Sequence, residues 1–111
     1  MNVLLVPPME PPRAAELDNT LEAMQQAVGG PIQAVYPFEE PVALICHEEG
    51  KLVGLPLNRC LRLEDTGEIY DIIAGTFFLC AAPPDSEDVE SLTAEQLERY
   101  ARRFARLEIY L

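Results

Sequence analysis

Apolar positions fall along this chain in short, regularly spaced groups, and the spacing divides it into strands and helices. Residues 2–6 form an apolar run stopped by Pro7-Pro8, the pattern of a first strand. Pro7, Pro8, Pro11 and Pro12 make residues 7–16 an extended loop or edge-strand segment, since proline has no N–H to give a sheet ladder. Leu17, Leu21, Met24 and Val28 then recur at helical spacing. Asn19 with Glu22 three residues later resembles a capping box, and Gly29-Gly30 ends the helix. Ile32, Val35, Tyr36 and Phe38 form a β-branched and aromatic stretch around Pro37. Val42–His47 reads as a strand, and Glu48-Glu49-Gly50-Lys51 as a hairpin turn into Leu52-Val53.

Pro56 is placed to open a short helical turn with Leu57, Cys60 and Leu61 facing inward. Residues 64–68 are a polar loop. Ile69–Ile73 is apolar but interrupted by Asp71, and residues 76–81 read as a buried strand. Residues 83–92 are an acidic, proline-containing connector. A second capping box, Thr93 with Gln96, opens a final helix over 93–107, with Leu97, Tyr100, Ala101 and Phe104 on one face. The fold class expected is α+β: a mostly antiparallel sheet of four or five strands, both amphipathic helices packed on one face, in a single domain over 1–111.

Composition narrows the function classes. An apolar fraction of 49% excludes global disorder. The apolar runs are too short to span a bilayer, and the first residues lack the basic start of a signal peptide, so the expectation is a cytoplasmic protein with no membrane role. Cys46, Cys60 and Cys80 make no C-x-x-C pair and suit buried thiols in a reducing compartment. His47 is the only histidine, and adjacent Cys46 and His47 would point to opposite sides of a strand, so no metal site and no cofactor is expected.

Charge changes the picture more. A net charge of −11 disfavours direct nucleic-acid binding and favours a basic protein partner. Of the 19 acidic residues only Glu108 lies beyond residue 98, whereas Arg99, Arg102, Arg103 and Arg106, half of the 8 bases, do. An acidic body thus ends in a basic helix, which also offers a surface through which copies can associate. The acidic candidates are Glu39, Glu40, Glu48, Glu49, Glu64, Asp65, Asp85, Glu87, Asp88 and Glu90. Spread over a small rigid body, such carboxylates can imitate a duplex, which carries one charge per roughly 1.7 Å of axis.

Three polar residues stand among apolar ones and are the remaining site candidates: Asn58, Arg59 and Asp71. Arg59 can aim a planar donor fork at an acidic ligand, or pair internally with Asp71 or Glu68 while Asn58 caps local backbone. Asp71 fits a bend residue accepting backbone N–H groups more readily than a catalytic base. Tyr36 can face a partner or the core. No phosphate loop and no catalytic triad pattern is present, so the chain leans away from being an enzyme.

The runs from Asn19 to Gly30, Ile32 to Phe38, Val42 to Lys51, Gly54 to Arg59 and Ile72 to Phe78 together resemble the family catalogued as domain of unknown function 3846, over about residues 2–80. The resemblance implies a small bacterial or phage protein, frequent on mobile elements of gut bacteria and sometimes joined to antirestriction-type modules. It implies no enzymatic activity and no cofactor. The family's recurring positions match Asn58, Arg59, Asp71, Ile72, Ile73, Ala74 and Gly75. The leading expectation is a non-enzymatic interaction module, acting as an acidic nucleic-acid mimic against a host defence or DNA-processing enzyme. Two alternatives stand beside it: a small-ligand or catalytic cleft around Asn58, Arg59 and Asp71, and an accessory regulatory module without autonomous activity.

Overall fold

The structure, a computed structural model, describes residues 1–108. Its elements are β1 (Asn2–Val6), β2 (Arg13–Glu16), α1 (Leu21–Val28), β3 (Ile32–Val35), β4 (Val42–His47), β5 (Leu57–Arg62), β6 (Ile69–Ala74), β7 (Phe77–Ala81) and α2 (Ala94–Arg103). Five strands form an antiparallel sheet in the order β2-β1-β7-β4-β3, and β5 and β6 form a separate two-stranded ribbon. The α+β class therefore holds.

The central strands explain the layering. β4 and β7 are apolar at successive positions, so both faces of the sheet need a cover. On one face Val3, Ala43, Ile45, Phe78 and Cys80 pack beneath Met24, Ala27 and Val28 of α1. On the other, Leu4, Val6, Leu44, Phe77 and Leu79 pack beneath Tyr100 and Phe104, Leu97 and Ala101, with Leu61 and Ile73 of the ribbon. The two helices thus lie on opposite faces, not on one face as the pattern suggested. A single covering layer would have left Ala43, Ile45 and Phe78 in water. Phe38, Tyr100, Phe77 and Phe104 form an aromatic chain under α2, with Phe38–Tyr100 centroids 4.8 Å apart and Phe77–Phe104 centroids 5.5 Å apart.

Local signals were met with small shifts. The cap of α1 is Thr20, whose Oγ1 accepts from the Ala23 N–H at 3.1 Å; Asn19 instead donates to the Val89 carbonyl and ties down the acidic connector. Gly29, at φ 85°, closes the helix in the left-handed region. The Thr93–Gln96 capping box forms as expected, but α2 ends at Arg103 rather than at 107. Residues 57–61 are not a helical turn. They belong to β5, which pairs antiparallel with β6, and the Pro56 carbonyl accepts from the Gly75 N–H instead of starting a helix. Leu52 and Val53 remain in the exposed turn and do not begin a strand. Cys46, Cys60 and Cys80 are free and buried; burial pushes the Cys80 thiol up to about 12.

Candidate functional site

Asn58 and Arg59 are buried, at 1% and 2% exposure, so neither presents itself to a ligand. Asn58 donates through Nδ2 to the carbonyls of Val6 and Gly75. Arg59 donates from Nε to Phe104 O at 3.0 Å, from Nη2 to Glu10 O at 2.8 Å, and from Nη1 to Asn58 Oδ1 at 2.6 Å and Pro7 O at 3.5 Å. The guanidinium therefore holds the proline-rich 7–12 segment and the end of α2 onto β5. Neither Asp71 nor Glu68 is among these partners, so the pairing weighed from the sequence is not formed.

Asp71 sits across the ribbon, opposite Leu61, and does not meet Arg59. Its Oδ1 accepts from Lys51 Nζ at 2.6 Å and from the Ile72 N–H at 2.8 Å. Desolvation pushes this carboxyl up, but the Lys51 bond and the Ile72 N–H outweigh it and hold it below its ordinary value. Asn58, Arg59 and Asp71 accordingly form a buried latch and a separate ion pair, not one cleft.

What the tertiary structure does assemble is a trough between β6 and the β3 side of the main sheet. A depression of about 350 Å³ is lined by Gln33, Cys46, Glu48, Glu49, Lys51 and Asp71 among others, with Ile73 and Ala74 along β6. A second, of about 360 Å³, continues beside it, with Tyr70 on β6 and Tyr36, Glu39, Leu63 and Asp65 around it. Tyr70 adjoins Asp71 along β6, and Tyr36 follows closely on Gln33, so the two depressions succeed one another along β6 without a lining residue in common. Tyr36 is 66% exposed and Tyr70 49%, while Phe38 turns into the core. His47 lines the first depression; its Nδ1 accepts from the Glu49 N–H, and its ring lies so close to Gly30 that a side chain there would collide with it.

The acidic candidates divide. Glu39, Glu48, Glu49 and Asp65 border the trough and form no ion pair among the described residues. Glu40 and Glu64 are taken up by α2: Arg99 bonds Glu40 at 2.8 Å, and Arg103 bonds Glu64 at 2.9 Å while lying 4.8 Å from the Phe38 ring centroid. Tyr100 also donates its hydroxyl to Glu40. The Arg99 bond, and then the Tyr100 bond, hold the Glu40 carboxyl below its ordinary value against desolvation; burial, and then Glu40, raises the Tyr100 hydroxyl. Arg102 pairs with Glu98. Asp85, Glu87, Asp88 and Glu90 are exposed on the connector, whose Val89 packs on the α1 side of the sheet. Sequence reading missed Lys51, Leu63 and Tyr70 as neighbours of one trough. They lie in separate segments, and no local pattern joins them.

Residues 1–105 match the model of the domain of unknown function DUF3846, and the chain belongs to that family. No curated protein and no solved structure matches it. No helix among the described residues is long and apolar enough to cross a membrane.

Proposed function

We propose that this protein is a non-enzymatic interaction module that docks a basic surface of a partner protein against the trough. The observation that carries this reading is the combination of four carboxylates without ion-pair partners, Glu39, Glu48, Glu49 and Asp65, with exposed Tyr36 and Tyr70 in the same trough. Carboxylates supply steering and choice of partner, and aromatic rings supply contact area at low entropic cost. The finer reading is that the partner is a host defence or DNA-processing enzyme whose nucleic-acid groove is occupied on behalf of a mobile element.

The test is affinity capture by the intact protein and by a variant with Glu39, Glu48 and Glu49 changed to Gln and Asp65 to Asn. Capture is expected to fall in the variant and on raising salt from about 0.1 M to about 1 M, where the screening length drops from about 10 Å to about 3 Å. An Arg102→Ala control on α2 should capture normally. Undiminished capture by the neutralised variant overturns the reading. Duplex DNA added to the captured complex should release a partner held through its nucleic-acid groove; persistence of the complex would restrict the reading to another basic surface.

A further inference from the structure

The ribbon leaves the outer edge of β6 without a strand partner, and only at its far end does the Gly50 backbone lie against the Ala74 carbonyl. β6 pairs only with β5, and among the described residues no backbone hydrogen bond from Ile69–Ala74 reaches a third element. Cys60 faces Ile72 in the register, and the Cys60 N–H turns away from the ribbon to the Glu108 carboxylate. The Ile72 N–H likewise turns away from β5, to its neighbour's Asp71 carboxylate at 2.8 Å. Opposed residues that do not bond each other direct their N–H groups outward, so Ile72 presents a strand donor to the trough. That donor is covered by a half-exposed side chain rather than by backbone, and a side-chain cover of this kind can give way to an incoming carbonyl.

Resting on the docking reading above, we propose that the trough takes an extended basic segment of the partner as an added strand along β6. In strand addition the main chain supplies affinity, and alternate side chains enter flanking pockets. Short of Ala74, residues 69–73 of β6 span about 16 Å at roughly 3.3 Å each, enough to pair with a segment of about four residues. One side of such a segment meets Tyr36, Leu63 and Tyr70, while its lysines or arginines reach Glu39, Glu48, Glu49 and Asp65. As its carbonyl takes the Ile72 N–H, Asp71 is freed to meet an incoming cation together with Lys51. A second copy of this chain is a poor occupant, because it brings a net charge of −11 against the same carboxylates.

The probe is a capped peptide of alternating lysine and valine, about six residues long so that it covers residues 69–73 with a margin. Two further peptides of identical charge carry N-methyl groups on the valine amides or on the lysine amides. Alternate amides of a strand point to opposite edges, so only one of the two methylated peptides loses the bonds to β6. Binding is followed by amide resonances of the intact protein. The parent peptide should shift Tyr70 and Ile72 and slow exchange of the Ile72 amide. One methylated peptide should bind about tenfold or more weakly, as expected for lost main-chain hydrogen bonds, and the other nearly as well as the parent. Equal binding of all three overturns strand addition but leaves charge-driven docking standing. Shifts confined to residues 85–90, or no binding by any peptide, also overturn it; capture with the carboxylate-neutralised protein decides the docking reading separately.

Discussion

Replacing Arg59 by Ala would strand the carbonyls of Phe104 and Pro7 and the Asn58 amide oxygen in the interior, and would release the Glu10 carbonyl at the surface. A loss of about 3–5 kcal/mol is expected, read from the urea unfolding midpoint. Arg59→Lys should recover only a small part, because an ammonium on one stem cannot match a fork that reaches opposite sides. An unchanged midpoint for Arg59→Ala would deny the latch. Glu40 makes a pH prediction. Its folded value is lowered, so its stabilisation is present above the ordinary 4.5 and is lost as pH falls through the lower folded value. The gap in melting temperature between the native protein and Glu40→Gln should be open at neutral pH and close in acid below 4.5. A gap that stays constant with pH would assign it to packing alone. Sequence marked Asn58 and Arg59 as unusual because they interrupt an apolar stretch. It did not reveal their partners, which lie up to 52 positions away.

Gly75 joins β6 to β7 at φ 83°, and a Cβ there would lie 2.7 Å from Leu55 Cδ1. Its carbonyl also receives Asn58. Gly75→Ala should cost about 1–2 kcal/mol, chiefly through left-handed backbone strain, and thermal melting measures it. A neutral substitution would mean that the turn relaxes. The helices were legible in outline because capping residues and 3.6-residue spacing are local signals, as the Thr93–Gln96 box illustrates. The strand β5 was not. Pro56 and inward-spaced Leu57, Cys60 and Leu61 fit a helical turn as well as a strand, and pairing with β6 settled the conformation. Likewise β4 announced itself as a strand by six nearly unbroken apolar residues, which also imply cover on both faces; only the packing assigned α1 to one and α2 to the other.

The net charge of −11 acts on the molecule as a whole. Arg99 and Arg103 pair with Glu40 and Glu64, so the basic helix closes on its own acidic body, while Arg102 pairs with Glu98 within α2. Repulsion among the remaining carboxylates should make the melting temperature rise as salt goes from about 0.01 M to about 0.15 M, shortening the screening length from about 30 Å to about 8 Å. A fall over that range would mean that the ion pairs outweigh the repulsion.

Composition, periodicity and capping were sufficient for the class of fold, the strand-rich core, the buried thiols and the excess of negative charge, since each depends on residues close together in the chain or on their sum. The latch around Arg59, the opposite placement of the helices and the acidic, aromatic trough came from contacts between distant segments. Such contacts depend on which surfaces meet once the strands have paired, and no spacing within a segment encodes that meeting.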